Sequence, residues 1–325
     1  MLIDHFQRKH TYLRLAVTDR CNLRCRYCMP EEGIAFAPRE QLLTYEEMLR
    51  LTALLKVHGL EKVRLTGGEP LARKGIEVLF RGLADQGLRI HLTTNGWLLE
   101  RFLPLLSSIS VKGINISLDS LRSDRFQAIT RRDAFPMVWR SLEMALEAGL
   151  RVKINMVLMA GVNDDEIFDF ALLARDRPLD IRFIEAMPFN AGDGNRSVFI
   201  AANDIERRLR GYFPAIQQTQ VDPHSAALQY SMPAWLGSIG IIPAYSRSLC
   251  GQCNRIRLTP KGTLLNCLYA REGLELLPLL RRGIADDELI ELISDYLKTK
   301  AVDGHTTEKL AARSGAFESM TTIGG

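Results

Sequence analysis

Two sets of three cysteines are the residues of this chain whose spacing could do chemistry. Cys21, Cys25 and Cys28 stand in the run CNLRCRYC, spaced C-x3-C-x2-C. Cys250, Cys253 and Cys267 form a C-x2-C pair with a third thiol downstream, and no cysteine is left over. A structural zinc site wants four ligands in a closed tetrahedron. Iron–sulfur clusters are held by thiolates, and a [4Fe–4S] cube held by only three keeps one iron open to an outside ligand. Each triad therefore reads as a cluster with a reactive corner. The alternatives are a zinc loop that borrows a His or Asp at the first triad and a zinc knuckle at the second. His224 or His305 would complete that knuckle, though both also read as ordinary surface residues.

The neighbours of the triads carry further signals. Tyr27, just before Cys28, would set an aromatic ring beside the open iron. Gly67-Gly68-Glu69-Pro70 removes side chains where backbone could approach a ligand closely, or is a plain turn. Arg255 and Arg257, two apart, would point the same way on a strand and pair their guanidiniums for phosphate. Their other reading is a solvated strand face. The terminal Gly324-Gly325 could thread a narrow cavity, or fray.

Positioning these residues requires a scaffold, and the pattern supplies one. Short apolar runs at Leu13–Val17, Val63–Leu65, Ile90–Thr93, Gly113–Leu118, Val152–Leu158 and Ile181–Ile184 read as strands. Between them the spacing predicts helices at Thr44–His58, Ile76–Gln86, Leu98–Leu106, Met137–Ala148 and Glu166–Arg175. Thr44 and Glu47 form a capping box, and Gly59 ends that helix. Strand–helix alternation predicts an α/β fold: an open, incomplete parallel (β/α)6 barrel of TIM type. The unusual residues gather just past the strand ends, on the face where barrel active sites form. A division near residue 188 is expected, with a barrel over 1–188 and an annex over 189–325 that carries the second triad. The annex opens on the Gly-rich loop NAGDGN, has little helical periodicity over 214–248, and ends in a helix at Asp286–Lys298 and a polar tail.

Lys plus Arg is 42 and Asp plus Glu is 38, so the formal net charge is +4. That excess is too mild to imply nucleic acid, but suits a local basic pocket for a small anion. No apolar run is long enough for a bilayer, and MLIDHFQRKH shows no signal-peptide pattern. A cytoplasmic protein with thiolate-bound metal, rather than a disulfide framework, is expected.

With CNLRCRYC after the first strand and GGEP after the second, the chain resembles the radical S-adenosylmethionine superfamily. This resemblance implies S-adenosylmethionine bound across the strand ends, with Tyr27, Gly68, Ser117 and Met187 contacting it. RLAVTDRCNLRCRYCMP, VRLTGGEPLAR, LTTNG, INISLDS, IRFIEAMP, CGQCNRIRLTPKG and the final IGG resemble, in order, the branch that cyclises GTP at the start of molybdenum cofactor synthesis. Likeness to that branch implies two [4Fe–4S] clusters and a 5′-deoxyadenosyl radical that takes hydrogen from C3′ of GTP. The new carbon radical then closes on C8 of the guanine. Arg14, Arg64, Thr93, Lys153, Arg255 and Arg257 match the GTP-binding positions. An external electron donor and a possible homodimer are implied too. A radical enzyme acting on a peptide, or a non-catalytic zinc protein, are the rival readings.

Overall fold

The computed structural model describes residues 1–187, 198–219, 223–246, 249–311 and 319–324. Six strands lie side by side in chain order: β1 (Tyr12–Ala16), β2 (Lys62–Thr66), β3 (Arg89–Thr94), β4 (Gly113–Ser117), β5 (Val152–Leu158) and β6 (Leu179–Glu185). Each neighbouring pair is parallel. Helices α1 (Tyr45–Val57), α2 (Ile76–Asp85), α3 (Leu103–Ser108), α4 (Ser123–Thr130), α5 (Phe135–Glu147) and α6 (Ile167–Leu172) connect them. The expected capping box is present. Thr44 Oγ1 accepts from the Glu47 N–H, and the Glu47 carboxylate accepts from the Thr44 N–H at 2.7 Å. Helix α4 is an addition to the expected set, because SDRFQAIT buries only Phe126, Ile129 and Thr130.

The later part of the chain widens this sheet. Its strands are β7 (Gln217–Gln218), β8 (Leu228–Ser231), β9 (Ser238–Ile242), β10 (Arg255–Leu258), β11 (Thr263–Leu265) and β12 (Leu274–Glu275). β10 joins β1 and β9 joins β6, both in parallel. Antiparallel ribbons, β11–β12 and β8–β7, follow at the two edges, so the barrel stays open as expected. The expected helix at Asp286–Lys298 is present. The NAGDGN loop, Pro188 at the expected division, and Gly325 lie outside the described residues. Among the described residues no helix is long and apolar enough to cross a membrane.

The strands are built inside-out. Leu13, Leu15, Val63, Leu65, Ile114, Ile116 and Ile154 are wholly buried beneath the helices. Their alternating neighbours Tyr12, Arg14, Lys62, Arg64, Asn115 and Lys153 face a central cavity. Parallel strands usually read as continuous apolar runs because both faces are dry. Barrel interiors are usually packed with branched apolar side chains. Here charge occupies the inner face, and space remains.

Candidate active site between two cysteine triads

The first triad lies on the loop that leaves β1. The Cys28 and Met29 N–H groups donate to the Cys25 carbonyl at 3.0 and 3.1 Å, giving the loop a turn of its own. The C-terminal end of α4 backs it: Arg24 and Arg26 N–H donate to the Thr130 and Ile129 carbonyls. The two glycines of GGEP have a specific role here. A Cβ on Gly67 would collide with the Thr18 carbonyl, and one on Gly68 with the Arg20 carbonyl. Gly68 and Glu69 N–H each donate to these carbonyls at 2.8 Å. The missing side chains thus let the segment Thr18–Arg20 leading into Cys21 lie directly on the turn, and both glycines still line the cavity.

Glu69 is fully buried. Its carboxylate accepts from the Leu71 N–H, the Thr94 hydroxyl and the Asn95 N–H at 2.9, 2.9 and 2.7 Å. Asn95 in turn donates to Asn22 Oδ1 at 2.7 Å and to Cys21 Sγ at 3.7 Å. A buried carboxylate outside the cavity lining therefore holds Asn95, whose side chain reaches Cys21. Burial lifts Glu69 to about 7, against the lowering by these N–H donors. Tyr27 donates its hydroxyl to Asp119 Oδ2 at 2.7 Å, and Asp119 Oδ1 accepts from the Val157 N–H at 2.9 Å. Asp119, buried in ISLDS just after β4, is a site residue that sequence reasoning left out of the binding set.

The second triad sits where β10 begins. The Cys253 N–H donates to the Cys250 carbonyl at 3.1 Å, and Cys267 arrives from the segment after β11. Lys300 Nζ lies 3.8 Å from Cys253 Sγ and 2.8 Å from the Arg255 carbonyl. His224 and His305, the alternative zinc ligands, are both exposed. All six cysteines are free thiols.

Both triads line one cavity of about 1150 Å3. Tyr27, Gly68, Ser117 and Met187 line it, as do Arg14, Arg64, Thr93, Lys153, Arg255 and Arg257. Sheet register explains the convergence: Arg257 and Arg64 are both aligned with Arg14, from the strands on either side of it. Arg64 donates to Tyr12 Oη at 2.7 Å, to the Leu92 carbonyl at 2.9 Å and to Thr93 Oγ1 at 3.3 Å. Lys62, His91 and Arg182 also line the cavity and were missed from sequence. Eleven Lys or Arg side chains line it against three Asp or Glu, among the described residues. The excess shows in the titration of its members. Burial brings Arg14 down to about 10 and Arg257 to about 9, the latter helped by Arg14 and Arg255. Burial alone would raise Tyr12, but Arg64 and Arg14 bring it to about 7. Asp180 offsets part of this charge, paired with Lys153 and with Arg182. The rest is arranged for a multiply charged anion.

The tail reaches the cavity, which Met320 and Thr321 line. Ser319 donates to the Cys28 carbonyl at 2.6 Å, a turn of helix covers Met320–Ile323, and Arg257 Nη1 donates to the Gly324 carbonyl at 2.7 Å. Gly324 has φ of 75°, and a Cβ there would stand 2.8 Å from Ala16 Cβ and 3.0 Å from Thr66 Cγ2. Glycine is required at that position by both conformation and space.

The donors fit iron–sulfur clusters. Burial pushes the Cys25 and Cys28 thiols well up, and the neighbouring thiols and Asp119 push the same way. Cys21 rises to about 11, from burial and then Glu69. Thiolates in such a place need a cationic metal group among them. Among the described residues no three His, Cys, Asp or Glu side chains converge on one ion. A cube gives each thiolate an iron of its own, so it asks for no such convergence.

Comparison with known proteins places this geometry. Residues 15–174 match the Radical SAM superfamily model, and residues 179–306 match Molybdenum Cofactor Synthesis C. The chain is 41% identical to the GTP 3′,8-cyclase of Moorella thermoacetica, over 93% of this chain and 94% of that one. It is 41% identical to the mitochondrial GTP 3′,8-cyclase of Arabidopsis thaliana, over 92% of this chain and 78% of that one. It spans about half the length of other relatives, such as 49% of molybdenum cofactor biosynthesis protein 1 of Dictyostelium discoideum. Among solved structures, Streptococcus suis SuiB superposes with a TM-score of 0.62 at 12% identity, covering 97% of this chain and 77% of SuiB, a likeness of fold. The chain belongs to the GTP 3′,8-cyclase family of the radical SAM superfamily.

Proposed function

We propose that this protein converts GTP to 3′,8-cyclo-7,8-dihydro-GTP, using S-adenosylmethionine and two [4Fe–4S] clusters. The observation that carries the reading is a single cationic cavity lined by both cysteine triads. Cys21, Cys25 and Cys28 hold one cluster, and Cys250, Cys253 and Cys267 hold the other. When bound and reduced, the first supplies the electron that splits S-adenosylmethionine into methionine and a 5′-deoxyadenosyl radical. Tyr27, Gly68, Ser117 and Met187 hold S-adenosylmethionine along the strand ends. Arg14, Arg64, Lys153, Arg255 and Arg257 hold the triphosphate, and Thr93 orients the nucleotide from β3. Functionally the chain divides near residue 188, with the radical generated on the barrel side and the purine received on the annex side. A carbon radical attacks what it touches, so the substrate must be fixed and water kept out. The buried Gly324 turn serves that closure.

The test is anaerobic. Cluster-loaded protein is given dithionite as reductant, S-adenosylmethionine, and GTP, ATP or no nucleotide. The expected outcome is 5′-deoxyadenosine that rises with GTP alone, beside a cyclised nucleotide. Deoxyadenosine indifferent to GTP discards the substrate. Zinc in place of iron discards the radical chemistry.

A further inference from the structure

Lys300 is a buried cation of this molecule with no part in the cyclisation chemistry just proposed. It is 4% exposed and lies outside the cavity lining. Buried lysines are rare unless paired, and an isolated buried ammonium is strongly disfavoured. Among the described residues Lys300 makes no ion pair with a carboxylate. Its partners are the Arg255 carbonyl at 2.8 Å and Cys253 Sγ at 3.8 Å. Arg8, a cation that acts on it, is itself paired with Asp4 at 2.6 Å. Arg8 also donates to the Ala301 and Val302 carbonyls at 2.6 and 2.8 Å, which fixes the segment just beyond Lys300. The ammonium is thus held in place and left to the sulfur.

Arg255 and Arg257 also stand near this triad, but both line the cavity, where an anionic ligand would take up their charge. The charge of Lys300 stays with the cluster ligands whether or not substrate is bound. Net charge and hydrogen bonds to the sulfurs set the potential of an iron–sulfur cluster.

Resting on the two-cluster reading, we infer that Lys300 tunes the reduction potential of the second cluster: its ammonium on Cys253 Sγ stabilises the added electron and makes this cluster the easier to reduce. Lys300 is a positioning residue, acting through Cys253 rather than on substrate.

The test reads potential, not turnover. Full-length protein with Cys21, Cys25 and Cys28 replaced by Ala carries only the second cluster, and its reduced fraction is followed by electron paramagnetic resonance during an anaerobic redox titration. At the poise where half the parent clusters are reduced, Lys300→Met should lower the reduced-to-oxidised ratio about tenfold, a fall of about 59 mV for a one-electron couple. Lys300→Arg, which keeps charge and donors, should stay within about threefold. A Lys300→Met ratio within about twofold of the parent overturns the inference. If Lys300→Met does not hold the cluster, Lys300→Gln, which keeps a donor without the charge, is read against the same limits. A parent protein that binds no second cluster overturns the two-cluster reading, and the inference with it.

Discussion

The carboxylate that acts on Cys25 and Cys28 is Asp119, whereas the cations that act on Cys253 are Lys300, Arg255 and Arg257. Both triads face the same cavity, yet the charges acting on Cys25 and on Cys253 have opposite sign. Burial and a carboxylate hold the first three thiols up. At Cys253 burial also pushes up, but Lys300, Arg255 and Arg257, with the Arg255 N–H, win and bring the thiol to about 6. A cluster in negative surroundings is harder to reduce, and gives up its electron more readily once reduced. A cluster in positive surroundings favours the added electron and suits an electron-rich ligand. The contrast fits the proposed function, in which the first triad delivers the electron and the second receives substrate.

The sharpest way to break this comparison is to remove one thiol from each side. Cys25→Ser should bring 5′-deoxyadenosine to background, whereas Cys253→Ser should leave deoxyadenosine measurable while the cyclised nucleotide disappears. Equal loss of both products in the two variants would erase the division of labour. Next in size is the tail, which touches both sides through Ser319 on Cys28 and Gly324 on Arg257. Deleting Gly324 and Gly325 should abolish turnover while iron content stays that of two clusters. Full activity in the shortened chain would show that the tail does not close the site.

A smaller effect separates the triads by stability. Gly68→Ala forces the Cys21 approach away from the turn, at a cost of about 1–3 kcal/mol. On mild chelation the first cluster should then be lost before the second, as followed by iron release. The smallest effect is a pH dependence at His10, which feels the Lys300 charge. Burial, then the Lys300 cation, depresses His10 from 6.5 to about 4, so the fold favours the neutral ring. The stability this gives is complete above pH 6.5 and is lost as pH falls through 4. The melting temperature should drop across that window, and His10→Gln should flatten that part of the curve.

Much of this was legible in the residues themselves. The six parallel strands and the cysteine loop follow local patterns, and Thr44 and Glu47 announce their cap. The pairing of β10 with β1 and β9 with β6 is invisible to any local window, because partners such as Arg257 and Arg14 are far apart in the chain. Arg255 and Arg257 were readable as a pair; that Arg257 lies level with Arg14 was not. Lys62, His91 and Arg182 were missed, although KVRLT carries the signal, with charge at alternate positions of a strand whose intervening residues are apolar. The glycines of GGEP were recognised as a close approach. Their neighbour proved to be the backbone of Thr18–Arg20, which no spacing rule reveals.

The placement of β1 between β2 and β10 has a consequence in time. β1 is made first, yet one of its two edges has no partner until residues 255–258 have been synthesised. At about 5–20 residues per second that interval is roughly 12–50 s. Throughout it an open edge stands beside the cysteine loop, and open edges recruit other chains. A chain interrupted before Arg255 keeps that edge for good, so truncation at any point between β6 and β10 should register first as insolubility of the barrel.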